Sequence, residues 1–286
     1  HNHAPRMAKI LGILAGGGEL PGRIINACQK RGRAFHVIAI EGQADPSVIG
    51  DCPHTWLRLG AGQKALEVAR REAFEEIVMV GPVKRPSIAA LRPDMLAAKV
   101  LAKAGASSVM GDDGLLKAVI AQIEALGFTV VGPDTFLQDG GTELGVLGRC
   151  EPDDAAIADI RRGAHILSRL GPADVGQGVV IQDNIVIAVE AVEGTDAMIA
   201  RSKSLLRPGP GGILIKLPKP GQETRADLPT IGPNTITQMQ DAGLRGLAID
   251  GRNTLLIDRE ETIRCADSAD IFVLALDAEE WSSDPS

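Results

Sequence analysis

The stretch KILGILAGGGELPGRIINACQKRGRAFHVIAI, Lys9 to Ile40, decides the fold of the first half of the chain. It begins with an apolar run, Ile10 to Ala15, passes through three glycines and a helical segment, and ends in a second apolar run, Phe35 to Ile40. Pro21 suits the first turn of a helix, because the amide that proline lacks has no intrahelical partner there. The stretch therefore predicts a β-loop-α-β unit.

The alternation continues along the chain with the strand EIVMVG, a long helical region from Ile88 to Leu126 and the strand FTVVG. Strands that alternate with helices predict a parallel sheet covered on both faces. The fold class is therefore α/β, with a Rossmann-like N-terminal domain over residues 7–138.

A different organisation is predicted for the second half. The Gly- and Asp-rich residues 139–152 hold no clear period and are interpreted as a linker. Two β-branched runs flank Asp183-Asn184, which is typical of a hairpin, and GLAIDGRNTLLID is interpreted as another hairpin. Residues 153–280 are therefore expected to form a mixed α+β C-terminal domain.

Composition excludes several classes of function. The formal net charge is −7 and aromatic content is 2% with no Tyr, so we expect no nucleic acid among the partners. The four cysteines lie far apart without metal-ligand spacing, which argues against structural zinc. No apolar run reaches about 18 residues, so we expect a cytoplasmic protein with no spanning helix. The native start is expected at Met7.

The glycines after the first strand form a candidate anion site. Gly16, Gly17 and Gly18 precede a helix, where backbone amides and the helix dipole favour a phosphate. With Glu41 they resemble an incomplete dinucleotide motif, which leaves a nicotinamide-dependent oxidoreductase as an alternative. An ordinary tight turn is the other interpretation.

Charged residues follow a later strand and precede a later helix. GPVKRP places Lys84 and Arg85 at the carboxyl end of a strand, where open α/β sheets bind ligands. MGDDGLL places Asp112 and Asp113 just before a helix. A solvated basic turn and helix capping explain the same residues without a ligand.

Carboxylates in the second half favour a divalent cation. EGTDAM contains Glu193 and Asp196, and KPGQETRADLPTIG, Lys219 to Gly232, contains Asp227. Mg²⁺ and Mn²⁺ prefer carboxylate ligands, and Lys219 and Arg225 would neutralise phosphate charge. Surface loops and caps again provide the simpler interpretation.

The segment from Leu91 to Met110 predicts a helix with an apolar stripe and interleaved lysines. Core packing explains this stripe most simply, and contact with a membrane surface is the alternative.

Taken in series, LGILAGGGELP, GPVKRP, MGDDGLL, DVGQG, VEAVEGTDAM and KPGQETRADLPTIG resemble the LpxI family, the UDP-2,3-diacylglucosamine pyrophosphatases of lipid A biosynthesis. The resemblance implies a hydrolase that releases lipid X and UMP with Mg²⁺ as cofactor. It also implies a lipid-linked nucleotide sugar as substrate and peripheral contact with the inner membrane, and it is compatible with a homodimer. A non-catalytic nucleotide-sugar or lipid-phosphate sensor remains an alternative.

The resemblance implies a catalytic role for Asp227 in DLPTIG, and Lys219 and Arg225 are expected to take part in catalysis by neutralising phosphate charge. The resemblance leaves open whether Asp227 binds the metal or acts as a base. The expected metal ligands are Asp227, Glu193 and Asp196. The expected substrate-binding residues are Gly16, Gly17, Gly18, Lys84, Arg85, Asp112, Gln177, Thr195, Gln222 and Thr230.

Two positions depart from the family pattern. Pro82 stands where the family often has Asn, and Met110 stands where a polar residue is frequent. Proline removes a backbone donor at that position, so the departures concern contacts of the N-terminal half.

Overall fold

A computed structural model describes residues 10–106, 112–137, 143–225 and 227–283 of the chain. The described residues form two compact units. The first contains the described residues up to Leu137 together with Arg225 and Asp227, and the second contains the remainder. Met7 and Met110, both singled out in the sequence, lie outside the described residues.

The first unit is built on a parallel sheet. Its strands are β1 (Ile10–Ala15), β2 (Phe35–Ile40), β3 (His54–Leu57), β4 (Phe74–Val80) and β5 (Thr129–Val131). The five strands lie in the order β3-β2-β1-β4-β5, and every neighbouring pair is parallel. This confirms the predicted α/β class with a parallel N-terminal sheet.

Helices connect these strands and cover the sheet. They are α1 (Leu20–Lys30), α2 (Pro46–Ile49), α3 (Gly62–Arg71), α4 (Ile88–Leu91), α5 (Met95–Ala106), α6 (Asp112–Ala125) and α7 (Asp134–Leu137). The helical region predicted over Ile88 to Leu126 is broken after Leu91, and its described residues form α4, α5 and α6. Arg92 has a left-handed backbone with φ 43° and is followed by Pro93, whose missing amide ends the helical pattern.

Two apolar layers lie on opposite faces of this sheet. Leu11, Ile13 and Val37 pack with α1 on one face. Ile38, Phe74 and Ile77 pack on the other face with α3, α6 and the start of β5. This second face carries the cavity described below.

The second unit is built on a mixed sheet. Its strands are β6 (Gly145–Val146), β7 (Gly178–Gln182), β8 (Ile185–Val189), β9 (Gly212–Lys216), β11 (Leu244–Asp250) and β13 (Phe272–Leu276), in the order β6-β13-β11-β9-β7-β8. The pairs of β11 with β9 and β13 are parallel, whereas the other three pairs are antiparallel. The mixed α+β class is confirmed. A separate parallel pair joins β10 (Thr230–Ile231) to β12 (Leu255–Leu256).

One of the two predicted hairpins is present. β7 and β8 pair antiparallel around Asp183 and Asn184, which both have positive φ as a tight two-residue turn requires. The hairpin predicted for GLAIDGRNTLLID was wrong. β11 is buried over most of its length as a central parallel strand, and the carboxylate of Asp250 turns the chain away by accepting bonds from Arg252 and Asn253.

The described residues of the second unit also form helices. They are α8 (Asp154–Leu170), a short 3₁₀ helix (Gly171–Ala173), α9 (Thr195–Ser202), α10 (Pro233–Ala242), α11 (Arg259–Ser268) and α12 (Ala278–Ser282). Gly145 and Val146 lie in the stretch interpreted as a linker but pair with β13 in this sheet.

Within the described ranges, no helix has the length and apolarity needed to cross a membrane.

Candidate functional site

The carboxyl ends of β1 and β4 form the switch point of the first unit's sheet. The chain leaves these neighbouring strands toward opposite edges, which opens a crevice where α/β proteins bind ligands. The amide of Gly16 donates to the carbonyl of Val80 at 2.8 Å, and the amide of Gly17 donates to the carbonyl of Pro82 at 2.8 Å. Two of the glycine amides expected to face a phosphate are therefore already hydrogen-bonded to protein.

Close packing explains the glycine at the first of these positions. A Cβ on Gly16 would lie 2.5 Å from the carbonyl oxygen of Gly81. Gly18 has a φ of 73°, which other residues rarely adopt. The loop after β1 is thus built to lie against the loop after β4, and this arrangement does not favour the nicotinamide-dependent alternative. A role for these glycines in substrate binding stays a prediction.

The basic turn after β4 is held by a side-chain amide. Gln43 donates from Nε2 to the carbonyl of Lys84 at 3.0 Å and accepts from its amide at 2.9 Å. These two bonds fix the backbone of Lys84, and the side chains of Lys84 and Arg85 are exposed beside the crevice. The turn therefore presents positive charge at the edge of the sheet where the sequence predicted it.

A cavity of about 570 Å³ lies within the first unit, on the sheet face covered by α3, α5 and α6. Its walls are mainly apolar and include Leu14, Ile77, Leu96 and Val100. This volume lies within the range of about 300–1,000 Å³ that is usual for ligand sites. The apolar stripe of α5 thus lines a cavity.

Charged residues line this cavity at one end. Arg58, Arg85, Asp113 and Asp227 belong to its lining. Arg58 and Arg85 follow the carboxyl ends of β3 and β4, and Asp113 lies in the first turn of α6. These residues therefore place the charged end of the cavity at the crevice.

The acidic residues at this end differ in their surroundings. The carboxylate of Asp113 pairs with Lys117 at 2.8 Å. Asp112 begins α6, but its side chain lies outside the part of the chain that is described. Asp227 is exposed and lines the cavity, while Arg225 pairs with Glu124 of α6.

The loop after β9 in the second unit is organised by a buried ion pair. The ammonium of Lys219 pairs with the carboxylate of Asp174, and their side chains are only 11% and 7% exposed. Gln222 is buried, and its Oε1 accepts from the amide of Lys219 at 2.8 Å. Lys219 and Gln222 thus hold the loop in place, whatever contact they make with substrate.

The loop before α9 is held by two acidic side chains. The hydroxyl of Thr195 donates to Glu190 at 2.9 Å. Arg201 donates to Oε1 of Glu193 at 2.6 Å, and the amide of Ala191 donates to Oε2 of Glu193 at 3.1 Å. Backbone hydrogen bonding at Glu193 itself, followed by the bond from Arg201, lowers the pKa of this carboxyl.

The remaining predicted site residues of the second unit are either exposed or hydrogen-bonded within the unit. Asp196 is exposed in the first turn of α9. The carbonyl of Gln177 accepts from the amide of Leu217 at 3.0 Å. The hydroxyl of Thr230 donates to the carbonyl of Leu228 at 3.0 Å, so it contributes to local structure.

Comparison with known proteins identifies the family. Residues 10–140 match the model of the LpxI N-terminal domain, and residues 143–274 match that of the LpxI C-terminal domain. UDP-2,3-diacylglucosamine pyrophosphatase LpxI of Caulobacter vibrioides is 38% identical over 276 residues, which is 94% of this chain and 98% of that protein. The chain belongs to the LpxI family.

Two carboxylates line the cavity of this LpxI family member. Among the described residues, no three His, Cys, Asp or Glu side chains are grouped to hold a metal ion. Mg²⁺ usually takes only one or two protein carboxylates and completes its coordination with water and substrate phosphates. Asp113 and Asp227 belong to the lining of one cavity and carry carboxylates of this kind.

Two residues that organise the LpxI loops were not among the predicted site residues. Asp174 lies in the motif DVGQG and Glu190 lies in the motif VEAVEGTDAM, so the motifs pointed to the right segments. Their partners, Lys219 and Thr195, could be assigned only from the folded chain. The cavity was also missed, because its lining comes from strands and helices distant in sequence.

Proposed function

We propose that this LpxI family member hydrolyses the pyrophosphate bond of UDP-2,3-diacylglucosamine, giving 2,3-diacylglucosamine 1-phosphate and UMP in lipid A biosynthesis. The relative from Caulobacter vibrioides, which aligns over 94% of this chain, carries this activity in its name. The structural observation that supports the proposal most is the apolar cavity with charged residues at one end. Such a cavity suits a substrate with apolar acyl chains and an anionic pyrophosphate.

The residues at the charged end have distinct proposed roles. The side chains of Lys84 and Arg85 would neutralise the pyrophosphate, whose charge otherwise repels an attacking oxygen nucleophile. Asp227 would bind the metal or orient the attacking water as a base. Arg225, held by Glu124, would add positive charge on the same segment.

We propose Mg²⁺ as the cofactor, with Mn²⁺ as a substitute, and Asp227 as its principal protein ligand. When bound, the ion would act as a Lewis acid toward a phosphoryl oxygen. Glu193 and Asp196 stay predicted ligands. For Glu193 this role would require its carboxylate to release Arg201 or the amide of Ala191.

In the second unit, Gln177, Thr195, Gln222 and Thr230 stay predicted substrate-binding residues. Because several of these side chains already make local hydrogen bonds, they would act mainly by holding the loop backbones. Lys219 would act in the same way through its pair with Asp174.

The proposed cellular location is the cytoplasmic face of the inner membrane, reached by peripheral contact. Met95 begins α5 and is 90% exposed, although α5 also lines the cavity. Met95→Ser should therefore weaken sedimentation with anionic lipid vesicles. Val192→Ser, which changes a fully exposed valine of the second unit, should not.

The activity is tested by incubating the purified chain with UDP-2,3-diacylglucosamine and Mg²⁺ and detecting UMP and lipid X by mass spectrometry. Both products are expected, and a chelator should abolish them until Mg²⁺ is restored. Substrate binding without product would instead support a sensor. Product formation that resists the chelator would contradict the proposed metal.

A further inference from the structure

A row of small residues lines one wall of the cavity. Ala65 and Ala69 of α3 belong to the lining, and so does Ala61, the residue just before α3. Residues four apart lie on one side of a helix. At about 1.5 Å per residue, Ala65 and Ala69 lie roughly 6 Å apart along α3.

The direction of this row follows from the topology. α3 connects β3 to β4, which run in the same direction within one sheet, so α3 must run back along the sheet face. Ala61 therefore lies near the carboxyl ends of the strands, with the charged residues. Ala69 lies near the opposite end, where β4 begins at Phe74.

Aromatic side chains line the cavity at that far end. Phe74 is 6% exposed and Phe128 precedes β5, and both are lining residues. The ring of Phe74 lies over Gly12 of β1, where an added Cβ would be 2.3 Å from the ring. Because Gly12 has no Cβ, the ring can lie close to the backbone of β1.

We propose that the alanine row of α3 and the Phe74 ring set the length of the acyl chain that the enzyme accepts. The proposal rests on the proposed function, since it assigns the cavity to an acyl chain of that substrate. The charged residues would hold the headgroup at one end, the alanines would leave room along the chain, and Phe74 would stop its terminal methyl group.

The spacing of the row predicts the size of the effect. Four helical residues advance about 6 Å. An extended chain advances about 1.2 Å per bond, because the three backbone bonds of a residue span about 3.3–3.6 Å. Blocking the cavity at Ala65 rather than at Ala69 should therefore shorten the longest accepted chain by about five carbons.

The test uses a series of synthetic UDP-2,3-diacylglucosamines that differ only in acyl length, with kcat/KM measured by UMP release. Ala69→Leu should lower kcat/KM for the longest chains only. Ala65→Leu should extend that loss to chains about five carbons shorter. Phe74→Leu should admit chains longer than the unmodified protein accepts.

Ala27→Leu is the matched control. It makes the same change in the same unit, but Ala27 packs on the opposite sheet face and does not line the cavity. For this variant, kcat/KM should depend on acyl length as it does for the unmodified protein. Melting temperatures identify any variant that fails to fold, in which case Ala65→Val and Ala69→Val replace the larger substitutions.

Binding of free fatty acids of graded length, measured by calorimetry, separates the two proposals. If no diacylglucosamine substrate is hydrolysed but fatty-acid affinity shifts in the predicted order, the proposed function fails and the length assignment survives. If the substrates are hydrolysed and the cavity variants reduce kcat/KM equally at every length, the length assignment is overturned.

Discussion

At the scale of single residues, the most informative contact is the buried pair of Lys219 and Asp174. The sequence indicated that Lys219 lies in a functional loop, but Asp174 is 45 positions away and its pairing depends on tertiary folding. By contrast, the sequence placed Asp227 in an exposed loop, and the structure agrees on its exposure. The sequence therefore predicted which residues lie in the loops, but it did not predict their partners from distant parts of the chain.

Loss of the Lys219 ammonium is expected to destabilise the chain, because it leaves the carboxylate of Asp174 buried without its cation. Lys219→Met should lower the free energy of unfolding by about 3 kcal/mol, as measured by chemical denaturation. Adding Asp174→Asn should restore part of this loss. Arg201→Met, which breaks the more exposed pair with Glu193, should lower the free energy of unfolding less than Lys219→Met does. Equal losses for both pairs would contradict this account.

At the scale of elements, β1 and the glycine loop were predictable because the apolar run and the glycines lie together in sequence. The contact of that loop with the loop after β4 was not predictable. The two strands are far apart in sequence and become neighbours only in the folded sheet. The wrong hairpin shows the same limit. An apolar run such as that of β11 fits a hairpin or a central parallel strand equally until its neighbours are known.

Gly16→Ala tests the contact between these two loops. Its Cβ would meet backbone oxygens of Gly81 and Pro82 at 2.5 and 2.6 Å, and backbone has little freedom to move away. We expect a loss of about 1–3 kcal/mol in unfolding free energy. Gly105→Ala on α5 meets no atom within 4 Å and should instead stabilise the helix by about 0.5–1 kcal/mol. Unchanged stability of Gly16→Ala would remove the packing explanation.

At the scale of the whole molecule, acid is expected to lower stability. Burial holds the pKa of His36 below its usual value, although Glu72 opposes this shift. As pH falls below about 6.5, the unfolded chain therefore takes up this proton before the folded chain does. The pKa of Asp153 is also lowered, first by the hydrogen bond from the Ala156 amide and then by Arg245. The loss of stability therefore continues below about pH 4.

Chemical denaturation at a series of pH values checks the contribution of His36. The unfolding free energy of the unmodified chain should decrease between about pH 7 and pH 5. His36→Gln retains a hydrogen-bonding group for Thr55 but cannot take up the proton, so its decrease should be smaller. Identical slopes for the two proteins would show that His36 does not control this window.

The most direct test of the central claim compares UMP release by the unmodified chain and by Asp227→Asn. Asp227 is exposed, so the variant should remain folded and bind substrate, while kcat falls by about 100-fold or more, equivalent to about 2.7 kcal/mol. Asp183→Asn, which changes an exposed aspartate in the hairpin turn, should retain full activity. If Asp227→Asn keeps more than about a tenth of the activity, Asp227 is not the residue on which hydrolysis depends.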